Sequence, residues 1–113
     1  MKKTYKLRAG AHEALVEALR RFIFFAVLRD GMDWNLKDLT NAWTGLGPAP
    51  FYKAAQKSGL MEIATKPNPG QVTWWKLTKA GAKILLYWKE TSAFEAKDYA
   101  IVRIPPREIP FEL

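Results

Sequence analysis

Six lysines stand between residues 50 and 83 against a single acid: Lys53, Lys57, Lys66, Lys76, Lys79 and Lys83 face only Glu62. A second excess opens the chain, where residues 1–10 carry four bases and no acid. The remaining stretches are close to neutral, so the net charge of +7 over 113 residues is concentrated in two places. Clusters of this sign suit polyanionic or acidic partners. Other chemistry is excluded by composition. With no Cys and one His, His12, the chain has no means of building a thiolate zinc site, a disulfide, a cysteine nucleophile or a multi-histidine metal cluster. His12 lies beside Glu13 near a helix start, where the imidazolium is disfavoured, and reads as an ordinary surface histidine. Asp30 and Asp33 flank Gly31, where Asp is frequent for conformational reasons, and do not read as a metal or acid/base pair. There is no Gly-rich phosphate loop, nucleophile elbow or metal signature. No catalytic residue, metal or cofactor is assigned, and the chain is read as not an enzyme.

The elements that must position the lysines fit one domain. Fifteen aromatic residues (six Phe, five Trp, four Tyr) supply the apolar area for its core. The opening MKKTYKLRAG runs into more charge instead of an apolar stretch, which reads as a basic arm and not as a secretory leader. The longest apolar run, Phe22 to Leu28, is far short of the roughly 20 residues that span a bilayer. A cytoplasmic protein that does not enter the membrane is expected.

Leu15, Ala18, Leu19, Phe22, Ile23, Ala26 and Val27 follow helical spacing and predict a first helix from Ala11 to Arg29, ended by Gly31. Phe24, Phe25 and Leu28 make its second half apolar almost all round. Asn35, with Asp38 three residues on, predicts the cap of a short second helix running to about Trp43. Pro48 and Pro50 suit the first turn of a third helix, whose inward stripe is Phe51, Ala54, Ala55 and Ser58 and whose outward side chains are Tyr52, Lys53, Gln56 and Lys57. Residues 60–65 and 71–77 read as the strands of a β-hairpin around Lys66-Pro67-Asn68-Pro69-Gly70. Thr78 caps a last helix to about Glu90 whose face is Gly81, Ile84, Leu85 and Trp88. Beyond it, residues 99–104 are strand-like, and Pro105, Pro106 and Pro110 keep the terminus extended. Alternation buries Trp75 and leaves Trp74 more exposed, to be covered by this tail first of all, or to stack on a base or meet a partner, while Trp34, Trp43 and Trp88 are expected in the core.

This order of elements resembles the winged helix-turn-helix DNA-binding family over residues 11–90. Lys57-Ser58-Gly59-Leu60-Met61 resembles the passage from recognition helix to first wing strand, and Leu77-Thr78-Lys79-Ala80-Gly81 resembles the Leu-Thr-x-x-Gly start of the last helix. The turn before the third helix is longer than usual in that family, and the hairpin is poor in arginine. The resemblance implies an α+β, mainly α, fold of three helices, a β-hairpin wing and a C-terminal helix. A basic arm (residues 1–10) precedes it, and an extended Pro-rich tail (residues 91–113) packs on the domain or on a partner subunit.

A helix fits the major groove of B-form DNA. There Gln56 can bond bidentately to adenine, Lys53 and Lys57 can reach guanine or phosphate, and Tyr52 can bond a phosphate oxygen. Lys66, Asn68, Gln71 and Lys76 on the wing, with Lys2 and Lys3 in the arm, complete the expected DNA-binding set. A small transcriptional regulator on duplex DNA follows, and a homodimer through Phe22 to Leu28 and the tail is its natural assembly. Two alternatives keep the fold: a protein–protein interaction module, suggested by the aromatic content, and an RNA- or ribosome-associated protein.

Overall fold

The computed structural model describes residues 5–6, 9–47, 49–65, 69–70, 72–91, 94–95, 98–102 and 108–109. Its core is α+β and mainly helical, with a three-stranded antiparallel sheet. Strand β1 (Tyr5–Lys6) precedes α1 (Ala9–Phe22), which continues without a break into a π-helical segment (Ile23–Leu28). There the amide of Arg29 donates to the Phe24 carbonyl and that of Met32 to the Val27 carbonyl, the five-residue step of a π-helix. The first helix expected from the sequence is therefore one continuous rod with two kinds of turn. Gly31, at φ 67°, stops it in the left-handed region that other residues rarely adopt.

Helix α2 (Leu36–Asn41) starts where Asn35 caps it: Asn35 Oδ1 accepts from the Asp38 amide at 2.7 Å. It ends two residues before the expected Trp43, because Ala42 is extended (φ −80°, ψ 141°) and leads into β2 (Thr44–Gly45). Alternation along this extended stretch turns Ala42 and Thr44 inward (4% and 1% exposed) and Trp43 outward (52% exposed). Trp43 is thus not the core residue that helical spacing suggests. Strand β2 is also a third strand where a two-stranded hairpin was expected; its pairing with a distant strand gives no periodic signal in two residues.

Helix α3 (Pro50–Lys57) is followed by β3 (Met61–Thr65), β4 (Trp74–Leu77) and α4 (Lys79–Glu90). The sheet order is β2-β4-β3, with Thr44 opposite Trp75, Met61 opposite Leu77 and a register shift between Ile63 and Thr65. Beyond α4, β5 (Phe94–Glu95) pairs with β6 (Asp98–Val102), and β7 (Glu108–Ile109) pairs with β1. The strand expected at residues 99–104 corresponds to β6, which spans Asp98–Val102.

The exit from α3 and the entry to α4 are tied together. The amides of Gly59 and Leu60 donate to the Gln56 and Ala55 carbonyls, a glycine-ended helix terminus with Gly59 at φ 74°. Thr78 then binds that terminus two ways and caps α4 by a third bond: its amide donates to the Leu60 carbonyl (3.2 Å), its hydroxyl donates to the Gly59 carbonyl (2.6 Å), and the same oxygen accepts from the Gly81 amide of α4 (3.2 Å). Replacing Thr78 by Val removes both hydroxyl bonds and should cost about 2 kcal/mol in urea unfolding, whereas Thr78→Ser should cost less than about 0.5 kcal/mol.

The core runs between α1, α4 and the inner sheet face. Leu15, Leu19, Phe22, Ile23, Leu60, Ile84, Leu85 and Trp88 are all at most 1% exposed. His12 belongs to it too. It is 6% exposed, with its ring edge-on to Trp88 at 5.9 Å, and is not the surface histidine expected, because Trp88 of α4 lies against it. The proposed dimer surface is largely spent in the same way: Phe22, Ile23, Ala26 and Val27 are buried within the chain, and Phe24 alone in that stretch is exposed. Among the described residues no helix is long and apolar enough to cross a membrane.

Candidate nucleic-acid interface

Helix α3 is short, and its first turn is set by Pro50, whose missing amide proton costs nothing at that position. It packs along α1 and buries Ala55 and Tyr52 (1% and 3% exposed), with Phe51, Ala54 and Ser58 half-buried. The inward stripe is therefore centred one position further round than expected. Tyr52 is not an outward phosphate-binding residue: its ring stacks on Trp75 of β4 (centroids 5.6 Å, planes 28°) and meets Phe51 edge-on at 4.3 Å. Its phenol is a polar tip on a large apolar body, and the indole across the helix–sheet interface claims the body.

Burial pushes the Tyr52 hydroxyl up to about 12, partly offset by the nearby Arg21. A tyrosine near 10 when unfolded and near 12 when folded contributes stability that is complete below pH 10 and is lost as pH rises toward 12. Unfolding midpoints measured from pH 9 to 12 should fall for the native chain, and Tyr52→Phe should flatten that fall.

What α3 does present is Lys53, Gln56 and Lys57, all exposed and spaced i, i+3, i+4 on one face. Neither lysine has an ion-pair partner among the described residues, unlike Arg20 and Arg21, which share Glu17, and Arg29, which meets Asp30 at 3.1 Å. Lys76 is different from the other bases of the block. It is half-buried on β4, and its Nζ lies 3.2 Å from Glu62 Oε1 across the strand pair, so the one acid of the block neutralises it. Lys66, Asn68 and Gln71 of the wing, and Lys2 and Lys3 of the arm, lie outside the described residues.

The sequence reading did not single out Lys37, and it gave Lys79 only as one base of the central block. Both are exposed and border a cleft of about 650 Å³ between α2, β3 and the start of α4. Their proximity arises from tertiary packing and leaves no trace in spacing. The outer sheet face carries Trp74 (44% exposed), and Val72 and Trp74 both lie against Gly45 of β2. Most of the tail expected to cover Trp74 is outside the described residues. Trp34 is partly buried, with the Lys89 ammonium 5.0 Å from its ring centre. Among the described residues no group of three or more His, Cys, Asp or Glu is placed to hold a metal.

Comparison with protein-family models, with curated proteins and with solved structures finds no match to this chain.

Proposed function

We propose that this chain is a small winged-helix protein that binds duplex DNA, with α3 in the major groove and the β3–β4 hairpin along the phosphate backbone. One observation carries the reading: Lys53, Gln56 and Lys57 share an exposed face of a helix whose opposite face is anchored on α1 and the sheet, and both lysines lack a carboxylate partner among the described residues. A helix held this way offers two ammonium groups to phosphate or guanine and one amide to an adenine edge. The three-stranded sheet and the Thr78–Gly81 entry to α4 are compatible with such a fold. On this reading the chain is a binding protein that acts as a transcriptional regulator and not as a catalyst.

The reading is tested by fluorescence anisotropy on mixed-sequence duplexes at 50 mM salt. Binding should be measurable and weaken steeply with salt, log affinity falling by about 0.9 per phosphate contact for each log unit of salt. Binding absent, or indifferent to salt, would remove it.

The half-exposed Trp43 and Trp74 favour a second reading, a module that meets another protein through the sheet. Replacing both indoles by alanine should leave duplex affinity within about threefold if the indoles serve a protein partner and not the DNA.

A further inference from the structure

The cleft of about 650 Å³ between α2, β3 and the start of α4 shares no lining residue with the Lys53–Lys57 face. Its apolar part is Leu36 of α2 and Leu77 of β4, and Thr40 and Thr78 stand with them. Both hydroxyls are already engaged. Thr40 Oγ1 donates to the Leu36 carbonyl at 2.8 Å, and Thr78 Oγ1 donates to the Gly59 carbonyl while accepting from the Gly81 amide. The rest of the lining is charged: Lys37, Lys79 and Glu62.

These charges do not cancel. Glu62 is the one acid on the lining of described residues, and its Oε1 takes the Lys76 ammonium, so its charge is already met. Asp38, beside Lys37 in the chain, accepts instead from Asn35 Nδ2 at 2.8 Å. Lys37 and Lys79 are exposed, come from different elements, and have no carboxylate within ion-pair distance among the described residues. The cleft is therefore net cationic, with a partly apolar lining.

We propose that this cleft docks an acidic segment of a partner protein, one in which carboxylates alternate with apolar side chains. Charge complementarity selects the sign of the partner: two ammonium groups without acids of their own attract carboxylates and repel a basic segment. Ammonium groups are flexible point charges and not a rigid fork, which suits carboxylates spread along a chain better than one compact anion. Leu36 and Leu77 offer an apolar side chain a contact that a free inorganic anion cannot use. A small polar ligand is disfavoured, because such sites hold their ligand by several convergent polar groups and both hydroxyls here serve the fold. The site does not rest on DNA contact by α3.

The test uses the full chain, isotope-labelled, titrated with a capped peptide of repeated Glu-Leu-Glu-Ser units at about 0.1 M salt, where exposed charges more than about 10 Å away are screened. The backbone amide signals of Lys37, Thr40 and Lys79 should shift saturably, with half-saturation below about 1 mM. Exchanging Glu for Gln in the peptide should weaken binding about tenfold or more, and exchanging Leu for Ser about threefold or more. Lys37→Glu with Lys79→Glu should weaken the acidic peptide about tenfold or more, whereas Lys53→Glu with Lys57→Glu, equal in charge, should leave it within about threefold. Glutamate at the first position of α4 is favoured by the helix dipole, and the amide spectrum away from the cleft should stay native. The two readings fail separately, because the first variant loses the peptide and keeps the duplex and the second does the reverse. Absence of saturable shifts, equal affinity for the Gln or Ser peptide, or equal weakening by the two variants would each overturn the proposal. So would inorganic phosphate or a short duplex that saturates the same three amides as tightly as the acidic peptide does.

Discussion

Gly81→Ala should lower the stability of this protein by about 3 kcal/mol and its unfolding midpoint by about 10 °C, although it puts the best helix former in place of a poor one. In an open helix the exchange gains up to about 1 kcal/mol. Here the added Cβ would stand 2.0 Å from the Leu60 carbonyl oxygen, 3.0 Å from its carbon and 3.4 Å from its Cα. All three are backbone atoms, so no side-chain rotation relieves the overlap. Leu60 cannot withdraw either: it is fully buried, its amide is held by the Ala55 carbonyl and its carbonyl by the Thr78 amide. Relief requires α4 to move off the α3–β3 junction, which breaks the Thr78 bonds and opens the packing of Ile84, Leu85 and Trp88. Gly10→Ala in α1 is the matched control. Its Cβ meets nothing within 4 Å, and it should be neutral or stabilising by roughly 0.5 kcal/mol. Thermal and urea unfolding followed by circular dichroism read both. A Gly81→Ala protein as stable as the native chain would refute the account of this junction.

The close approach of Gly81 to the Leu60 backbone joins residues far apart in the chain and left no sign in the spacing, but the cap at that junction was legible because its cause is local. A Thr three residues before a Gly, after an alternating strand, specifies a helix cap without reference to distant residues. Asn35 with Asp38, Gly31 and Gly59 act through their own backbone in the same way, and each stands where the sequence put it. The failures share a different physical origin. Trp43, Tyr52 and His12 were assigned from residue type and period, yet their exposure is decided by partners distant in the chain or by a strand too short to announce itself. Thr44 pairs with Trp75, which pulls the chain out of α2 and turns Trp43 to solvent. Trp75 in turn takes the Tyr52 ring, and Trp88 covers His12. For the candidate interface, Lys53, Gln56 and Lys57 were legible because they sit on one face of a single helix. The pairing of Lys76 with Glu62 follows from strand register, which the hairpin's length and its bulge conceal.

The double variant Lys53→Glu with Lys57→Glu should bind duplex DNA about a hundredfold more weakly at 50 mM salt, and its salt dependence should be shallower by about two phosphate contacts. Both side chains are exposed and carry no ion pair among the described residues, so reversal removes attraction without breaking a contact in the fold. The cost to stability is limited to an acid in the last turn of α3, roughly 0.5 kcal/mol. Total charge alone does not produce this outcome, and an equal reversal elsewhere separates the two. Lys37→Glu with Lys79→Glu changes the net charge by the same amount at exposed positions on α2 and α4, around the cleft between them. It should weaken binding less than about tenfold. Gln56→Ala should act differently from both: overall affinity for mixed duplexes changes little, while discrimination at one base pair falls by about 1–3 kcal/mol. If the two double variants weaken binding equally, the field of the whole protein is the cause, and α3 has no special claim to the groove. If neither does, the exposed tryptophans on the sheet become the surface that this chain uses, because they are what remains when the cationic face is silent.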